Sequence, residues 1–345
     1  MPDLVNSLLN GDRLALSRLL TQVENDTPLG RSALDELFKR TGRAHLIGVT
    51  GAPGVGKSSL VNQLTLHIRK QTGKTVAIVA VDPTSPFSGG AVLGDRVRMR
   101  DLAGDPGVFI HSMATRGTLG GLAHATAAVT QVYDAAGFDL VLIETVGAGQ
   151  AEVDIARLAH TTLVVEAPGM GDDIQAIKAG ILEVADILVI NKADRPGLEN
   201  TERALRGMLD LAHPLQHVFQ HHGQLETVDA PPVSSEASPD ATIKEKELLW
   251  VPPLLRTIAS DGSGIPELAG HISRHAEYLQ SSGEWRRREH SRLESELEAI
   301  LQDTLTRQLL DSLPEQRYEQ VLAHIYERRL SPWQAVDTLI NGRQP

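Results

Sequence analysis

Short apolar runs that alternate with helical stretches constrain the fold of this chain most strongly. From Ala44 onward six such runs recur, HLIGVT, TVAIVAVD, VFIHSM, DLVLIET, TTLVVEA and DILVINKAD. Apolar runs separated by helices predict an α/β fold, with a mostly parallel sheet covered by helices on both faces. Ligands of such sheets bind beyond the carboxyl ends of the strands. The loops that follow these runs are therefore where functional residues are expected.

Helical spacing of apolar residues replaces this pattern at both ends of the chain. Residues 1–42 are expected to form a helical N-terminal extension, residues 43–281 the α/β domain and residues 282–345 a charge-rich helical arm. Within the domain, residues 213–247 include the stretch VDAPPVSSEASPD, which is rich in proline, serine and acids. That composition predicts a loop insertion in the domain rather than a core element.

The overall charge limits the classes of partner. The 345 residues include 44 acidic and 33 basic side chains, a formal net charge of −11. This argues against a surface that binds nucleic acid or an anionic membrane and favours a protein partner or a small ligand. Because there is no cysteine, disulfides and thiolate metal sites are excluded. No leader pattern or apolar run near the roughly 20 residues that span a bilayer occurs, so we expect a soluble cytosolic protein.

The stretch GAPGVGKSS fits the phosphate-binding pattern G-x-x-x-x-G-K-[ST] and lies between a predicted strand and a predicted helix. Glycines in such a loop let backbone N–H groups surround phosphates, and the following helix adds its positive end. Lys57 is expected to reach the β- and γ-phosphates and the Ser58 hydroxyl to coordinate Mg²⁺. The predicted phosphate-binding residues are Gly51, Ala52, Pro53, Gly54, Val55, Gly56, Lys57, Ser58 and Ser59.

The stretch NKAD follows a later strand and predicts which base is bound. Asp194 can accept two hydrogen bonds from guanine, whereas adenine lacks the exocyclic amine and would leave the carboxylate unpaired, at a cost of roughly 1–3 kcal/mol. Asn191 and the stem of Lys192 would hold this loop and cover the base. After the next strand, the backbone of Ala259 in TIAS offers a third base contact. Together these residues predict GTP and GDP as ligands rather than ATP.

Three acids near strand ends are candidates for the metal and for catalysis. Asp82 in VDPTSP, Asp95 in GDRVRM and Glu144 in ETVGAGQ could each bind Mg²⁺, hold one of its waters or orient the attacking water. Asp95 also fits an ordinary helix N-cap. The predicted metal residues are Ser58, Asp82, Asp95 and Glu144, and the predicted catalytic residues are Lys57, Asp82, Asp95, Glu144 and Gln150.

Glycine-rich segments predict loops that move with the nucleotide. Gly147 and Gly149 would let backbone N–H groups meet a γ-phosphate and release it after hydrolysis. Gln150 could orient the attacking water or contact another protein chain. A further candidate is GMGDDIQAIKAG, with Asp172 and Lys178, which could equally be a tight turn before a helix. The stretch MATRGTLGGLA is a candidate of the same kind.

The ordered set of motifs resembles the MeaB/ArgK family of P-loop GTPases, the G-protein chaperones associated with methylmalonyl-CoA mutase, along essentially the whole chain. The resemblance is carried by GAPGVGKSS, VAVDPTSPFSGGAVLGDRVRM, MATRGTLGGLA, ETVGAGQAEVD, GMGDDIQAIKAGILEVADILVINKAD and SPWQAVDTLI. It implies a homodimer with a helical N-terminal extension, a central P-loop G domain and a C-terminal dimerisation arm. It also implies that GTP gates the delivery of adenosylcobalamin to, and the protection of, an acyl-CoA mutase.

By the same resemblance, Asp82 and Asp95 fall in a first switch, Glu144 to Gln150 in a second, and Asp172 to Lys178 in a third that communicates with the mutase. We expect slow hydrolysis by the protein alone and activation by its partner. The acidic stretch at 213–247 departs from the short connection usual in the family.

Two other functions remain open from the residues. A GTPase for nickel insertion would need soft or imidazole ligands, and the absence of cysteine weighs against it. An ATP-dependent kinase or transport accessory protein would need a pattern for binding a phosphoryl acceptor, and the sequence shows none. Which acyl-CoA mutase is served does not follow from the sequence.

Overall fold

The computed structural model describes residues 4–82, 99–102, 104–114, 121–145, 151–169, 184–212, 220–221, 224–225 and 250–341. The chain divides into two compact units, the first ending at Arg292 and the second beginning at Leu293. This boundary lies inside a long helix that begins at Glu284.

The first unit has the elements of an α/β domain with a helical extension. Its helices are α1 (Leu4–Leu9), α2 (Arg13–Glu24), α3 (Pro28–Leu37), α4 (Lys57–Thr72), α5 (Gly121–Ala135), α6 (Ala151–Leu158), α7 (Leu198–Ala212), α8 (Ile265–Ser282) and the start of α9 (Glu284–Ser312). Its strands are β1 (His45–Thr50), β2 (Val76–Asp82), β3 (Val108–Ala114), β4 (Leu140–Glu144), β5 (Thr161–Glu166), β6 (Ile187–Ile190), β7 (Gln220–His221), β8 (Gln224–Leu225) and β9 (Leu254–Arg256).

Seven parallel strands form the central sheet, in the order β3-β2-β4-β1-β5-β6-β9. The six apolar runs of the sequence correspond to β1 through β6, which confirms the predicted α/β fold. The short strands β7 and β8 pair with each other inside the predicted loop insertion, most of which lies outside the described residues. Because β1 lies in the middle of the sheet, between β4 and β5, the loop after it opens at the centre of the carboxyl edge.

Helices cover both faces of the sheet, which explains why its strands are apolar throughout. On one face α4 and α8 pack around Ile47 and Leu142, neither of which has exposed surface. On the other face the N-terminal helices and α5 enclose Leu19, Tyr133 and Val141, also without exposed surface. Burying each such side chain contributes roughly 1.5–3 kcal/mol, so these two layers supply most of the stabilisation of the unit.

The helical N-terminal extension is tied to the sheet by one buried carboxylate. Asp134, on α5, accepts the backbone N–H groups of Gly42, Arg43 and Ala44 at 2.5, 3.1 and 2.9 Å. These three residues form the connection into β1, where no strand partner is available for their N–H groups. A buried carboxylate that accepts several N–H bonds is well compensated for the loss of water. Asp134 therefore fixes where the extension ends and the sheet begins.

Charged and aromatic side chains collect at the amino edge of the sheet, below the starts of β5 and β6. We call this group the basal cluster; its members are His45, His160, Asp186, His275, Trp285, Arg288 and Glu289. Asp186 accepts two hydrogen bonds from the Arg288 guanidinium, both at 2.8 Å, and one from the Thr162 N–H at 2.8 Å. Burial raises the pKa of Asp186, but hydrogen bonds from His275 and Arg288 outweigh it and lower the pKa to about 2.

A second pair in the basal cluster holds the first turns of α9. His160 accepts the Leu46 N–H on Nδ1 at 3.0 Å, which leaves Nε2 to donate to Glu289 at 2.6 Å. The imidazole also stacks on Trp285, with ring centroids 3.9 Å apart. Burial raises the pKa of Glu289, but hydrogen bonds from His160 and Arg292 lower it to about 2. The start of α9 is thus held by charge-assisted hydrogen bonds and ring stacking.

The second unit is helical and consists of the rest of α9, α10 (Glu315–Tyr326) and α11 (Pro332–Asn341). Helices α10 and α11 pack through Val321 and Ala335, which are 4% and 2% exposed, and Arg317 donates to the Thr338 carbonyl at 2.9 Å. Over the ranges that the structure describes, no helix combines the length and the apolar character needed to cross a bilayer.

Candidate nucleotide site

The loop after β1 has the backbone shape of a phosphate-binding loop. Gly51 and Gly56 have φ angles of 135° and 98°, values that other residues rarely adopt. A Cβ at Gly51 would lie 2.0 Å from the Val165 carbonyl oxygen, and one at Gly56 would lie 2.5 Å from Asn191 Nδ2. Only glycine fits at these two positions, because the loop passes directly against β5 and the loop after β6. Helix α4 then begins at Lys57 and directs its positive end toward this loop.

The loop encloses the ammonium group of Lys57. Its Nζ donates to the carbonyl oxygens of Gly51 at 2.7 Å and Ala52 at 3.0 Å, and the residue is 6% exposed. An ammonium group forms stronger hydrogen bonds with anionic phosphate oxygens than with neutral carbonyls. Lys57 is therefore positioned as predicted for a group that binds phosphate.

Two of the predicted metal residues meet beside the phosphate loop. Ser58 Oγ, in the first turn of α4, donates to Glu144 Oε1, at the end of β4, at 2.7 Å. The two residues are 6% and 5% exposed. They supply a hydroxyl and a carboxylate oxygen, which are the hard ligands that Mg²⁺ prefers. The oxygens present at this position fit a magnesium ion.

The loop after β6 is joined to both the phosphate loop and the loop after β9 by the carboxamide of Asn191. Its Nδ2 donates to the Val55 carbonyl at 2.9 Å, and its Oδ1 accepts from the Ala259 N–H at 3.1 Å and the Thr257 hydroxyl at 3.2 Å. Asn191 is 1% exposed. One side chain thus fixes the spacing between the predicted phosphate-binding and base-binding loops.

The neighbours of Asn191 extend this arrangement. Lys192 has a positive φ of 58° and donates from Nζ to the Gly54 carbonyl oxygen, so its stem lies along the phosphate loop. Burial lowers the pKa of Lys192. Asp194 is exposed at the rim of the same loop, where its carboxylate is accessible to a base. The N–H of Ala259 donates to Asn191, and its role as a base contact stays a prediction.

A buried pair of hydroxyl groups at this edge was not predicted from the sequence. Thr145 Oγ1 donates to Thr50 Oγ1 at 3.1 Å, and the two residues are 1% and 0% exposed. Thr50 directly precedes Gly51, and Thr145 directly follows Glu144. Their adjacency to two motif residues was the only signal in the sequence that pointed to them.

Several predicted site residues cannot be related to this geometry. Asp82 is the last residue of β2, which pairs with β4 so that Ala80 lies opposite Glu144. The structure describes the backbone of Asp82 but not its side chain. The remaining switch and catalytic candidates lie outside the described residues; they are Asp95, Gly147, Gly149, Gln150, Asp172 and Lys178. The roles assigned to these residues stay predictions.

Comparison with solved structures supports the fold. The crystal structure of an LAO/AO transport system kinase aligns over 99% of this chain and 96% of that chain, with a TM-score of 0.67 and 26% sequence identity. The alignment extends over nearly all of both chains, so it includes the helical segments before and after the sheet domain in the sequence.

Sequence comparison identifies the relatives of the chain. A protein of Pyrococcus abyssi is 40% identical over 338 residues, which covers 98% of this chain and 95% of that protein. GTPase ArgK of Escherichia coli is 31% identical over 326 residues, covering 93% and 85%. The mitochondrial methylmalonic aciduria type A homolog of Caenorhabditis elegans is 38% identical over 205 residues, covering 55% and 51%.

The family model described as methylmalonyl-CoA mutase-associated GTPase MeaB matches residues 16–313, a span that includes the phosphate loop, the Ser58–Glu144 pair and the loop of Asn191. The match and the site geometry lead to the same conclusion: the chain belongs to the MeaB family of mutase-associated GTPases.

Proposed function

We propose that this protein hydrolyses GTP and uses its nucleotide state to gate the delivery of adenosylcobalamin to, and the protection of, an acyl-CoA mutase. The observation that carries the proposal is the Asn191 carboxamide, which joins the phosphate loop at Val55 to the loop of Ala259. This link supports the proposal, because it holds the loop predicted to bind guanine and the loop predicted to bind phosphate at a fixed spacing. Membership of a mutase-associated GTPase family supports the choice of partner.

In the proposed reaction, Lys57 binds oxygens of the β- and γ-phosphates in exchange for the loop carbonyls that it contacts in the structure. Ser58 and Glu144 hold Mg²⁺, which neutralises charge on the phosphates. Their 2.7 Å contact supports this assignment, because one ion could be coordinated by both oxygens. Asp82 and Asp95 complete the metal environment, and Gln150 orients the attacking water or contacts a partner.

The base is selected by the loop after β6. Asp194 accepts two hydrogen bonds from guanine, and the stem of Lys192 covers one face of the ring. The contact of Lys192 with Gly54 supports this, since it holds the stem beside the phosphate loop. The backbone of Ala259, whose N–H donates to Asn191 in the structure, adds a further contact to the base.

The mutase is proposed to accelerate hydrolysis. An arginine supplied to the developing charge can raise the rate of phosphoryl transfer by about 10³–10⁵. Arg98 and Arg116 are candidates from this chain and lie outside the described residues. We infer that binding of the mutase organises the loops beside the γ-phosphate, in particular the segments from Gly147 to Gln150 and from Asp172 to Lys178.

The active form is proposed to be a homodimer that uses the helical arm. Helix α9 carries Leu297, Leu301 and Leu305 at four-residue spacing, and they are 66%, 52% and 55% exposed. Residues four apart lie on one face of a helix, so these leucines form an apolar stripe that a second copy could cover. Size-exclusion chromatography with light scattering on Leu301→Glu tests this, since a dimer held by this stripe should dissociate.

The function is tested by binding and single-turnover hydrolysis of GTP and ATP, alone and with purified methylmalonyl-, isobutyryl- and 2-hydroxyisobutyryl-CoA mutases. We expect a preference for GTP, slow hydrolysis alone and acceleration by one mutase. Lys57→Ala is the control for contaminating hydrolases. Equal affinity for ATP and GTP would overturn the nucleotide assignment. Hydrolysis that is no faster with any of the mutases than without them would overturn partner activation. Phosphoryl transfer from ATP to a protein would instead support a kinase.

A further inference from the structure

The two strands that carry the phosphate loop and Glu144 are joined beyond the last pair of their ladder. Strands β1 and β4 are paired up to Val49 and Glu144. The next residue of β4's chain, Thr145, then donates its N–H to the Val49 carbonyl at 3.1 Å. Its hydroxyl donates to the Thr50 hydroxyl, also at 3.1 Å. Thr145 is therefore attached to β1 through both its backbone and its side chain.

These two threonines stand at the exits of the two strands that matter most for the site. The residue after Thr50 is Gly51, the first glycine of the phosphate loop. The residue before Thr145 is Glu144, whose carboxylate accepts from Ser58 at 2.7 Å. A displacement of Thr145 would therefore change the position of Glu144 relative to Ser58 and the phosphate loop.

The chemistry of the pair is also specific to its location. Both threonines are essentially without exposed surface, at 0% and 1%, yet a valine would fill the same volume without a polar group. Burying hydroxyl groups is unfavourable unless they are hydrogen-bonded, and here each compensates the other. A strand end that needed only apolar packing would be served better by valine, so the pair indicates a requirement for a directional contact.

We propose that Thr50 and Thr145 are a positioning pair for GTP hydrolysis, which aligns Glu144 with the phosphate loop. The inference rests on the hydrolysis proposed above. Neither threonine need touch the nucleotide, because the pair acts through Glu144. Because misalignment of reacting groups costs rate more than it costs binding, the pair should affect kcat and leave the affinity for GDP nearly unchanged.

The test is a double-mutant cycle on the full-length protein with Thr50→Val and Thr145→Val, each of which removes one hydroxyl at constant volume. We expect each variant to lower the single-turnover rate of GTP hydrolysis by roughly 10- to 100-fold. The double variant should be no slower than the slower single variant, because both changes remove the same contact. Thr145→Ser keeps the hydroxyl and should recover most of the rate.

A matched control removes a buried hydroxyl that does not join two strands. Thr130, on α5, is 1% exposed and donates to the Ala127 carbonyl of its own helix at 2.8 Å. Thr130→Val should hydrolyse GTP at the wild-type rate. The affinity for GDP and the unfolding midpoint of every variant are measured in parallel, because a purely structural role would change these as much as the rate.

The outcomes separate this inference from the proposed function. If the wild-type protein does not hydrolyse GTP, the proposed function fails, and the inference fails with it. If the wild type hydrolyses GTP and the valine variants match it, only the inference is overturned. Multiplicative effects of the two changes, an equal loss of GDP affinity, or loss of folding in both valine variants would also overturn it, since each would indicate something other than a shared positioning contact.

Discussion

The two edges of the central sheet both bury polar side chains, but they pair them in opposite ways. At the amino edge, ionised side chains pair with each other, as Asp186 does with Arg288 at 2.8 Å. At the carboxyl edge, Lys57 and Asn191 each donate to backbone carbonyls of loops, Lys57 to that of Gly51 and Asn191 to that of Val55. The amino edge of the sheet therefore contains a carboxylate paired with a guanidinium, and the carboxyl edge contains an ammonium group that donates to loop carbonyls.

This difference suggests that the charged groups of the amino edge stabilise the fold, whereas those of the carboxyl edge bind a ligand. Compensated charges, such as those of the basal cluster, have little to gain from a ligand. A cation on carbonyl oxygens can gain by exchanging them for phosphate oxygens. The large pKa changes of Asp186 and Glu289, both lowered to about 2, occur at the amino edge. A strongly changed pKa is therefore a sign of structure here, although such changes often mark functional sites.

The strongest test of the comparison is to neutralise the amino edge. Asp186→Asn removes the carboxylate that pairs with Arg288 and lies 3.3 Å from the buried His275 Nε2. The Arg288 side chain is 33% exposed and keeps its bond to the His160 carbonyl, so the loss of charged hydrogen bonds should cost about 1.5–3 kcal/mol. Urea denaturation should show that loss of unfolding free energy, while the affinity for GDP stays within about twofold of wild type.

A partly exposed ion pair in the same unit supplies the control for Asp186. Asp105 accepts from Arg69 at 2.7 Å, with side chains 29% and 18% exposed. Asp105→Asn should cost about 0.2–1 kcal/mol, because the Asp105 carboxylate is more exposed to water than that of Asp186 and Arg69 keeps its bonds to the Gly73 and Lys74 carbonyls. Equal losses in the two variants would remove the distinction between the basal cluster and ordinary surface pairs.

The complementary change at the carboxyl edge is Lys57→Ala. It removes a preorganised cation from the proposed phosphate site and should slow single-turnover GTP hydrolysis by about 10²–10³-fold, or roughly 2.7–4 kcal/mol. The unfolding free energy should change by about 1 kcal/mol or less, because the Gly51 and Ala52 carbonyls that lose the lysine can accept from water. If Lys57→Ala lost as much unfolding free energy as Asp186→Asn, Lys57 would be a structural residue and the assignment of the carboxyl edge to ligand binding would be wrong.

A smaller effect is expected at the rim of the carboxyl edge, where base specificity is proposed to reside. Asp194→Asn replaces an acceptor with a donor and should move the relative affinity from GDP toward xanthosine diphosphate by about 1–3 kcal/mol. Competitive titration of the two nucleotides measures this shift. Ser260→Ala, a change one residue beyond Ala259, is the control and should leave the preference for GDP intact. An unchanged preference in Asp194→Asn would exclude this carboxylate as the guanine reader.

The last test concerns the dependence of stability on pH. Burial and the nearby charges of His160 and His275 lower the pKa of His45 from 6.5 to about 3. Below its ordinary pKa the unfolded chain binds this proton and the folded protein does not, so acidification favours unfolding. Asp186 and Glu289, whose pKa values are lowered to about 2, add stability that is lost as the pH falls from about 4 toward 2.

His45→Gln removes one of these groups and should reduce the slope of unfolding free energy against pH, between about pH 6.5 and 3, by up to about 1.4 kcal/mol per pH unit. Denaturation at a series of pH values measures the slope. His67→Gln, on α4 and away from the basal cluster, is the matched control. If both variants change the slope alike, the amino edge is not what makes the protein sensitive to acid.

The sequence predicted those parts of the protein that depend on local pattern. Strands β1 to β6 were recognisable because both faces of the sheet are covered, which makes each strand apolar throughout. The phosphate loop was recognisable because its glycines, Lys57 and Ser58 occur at a spacing set by phosphate geometry. The bounds 1–42, 43–281 and 282–345 remain predictions; the division between compact units lies within α9, after Arg292.

Contacts between distant segments could not be predicted. Asn191 and Val55 are 136 residues apart, and Thr145 and Thr50 are 95 apart, so no spacing rule connects them. The histidines of the basal cluster follow no ligand pattern in the sequence and meet only because β1, the start of β5 and α8 bring them together. Asp95 and Gln150 lie outside the described residues, and their roles remain predictions.

The carboxamide of Asn191 has a consequence for how parts of a nucleotide would be recognised. Because it holds the loops of Val55 and Ala259 at one separation, a guanosine and a pyrophosphate would each meet half of a preassembled frame. Joining the two fragments covalently would then add affinity beyond their separate contributions, since neither loop has to be reordered to receive the second fragment. The intact nucleotide would therefore bind much more tightly than either fragment. Guanosine or pyrophosphate alone would compete poorly with GDP for the site.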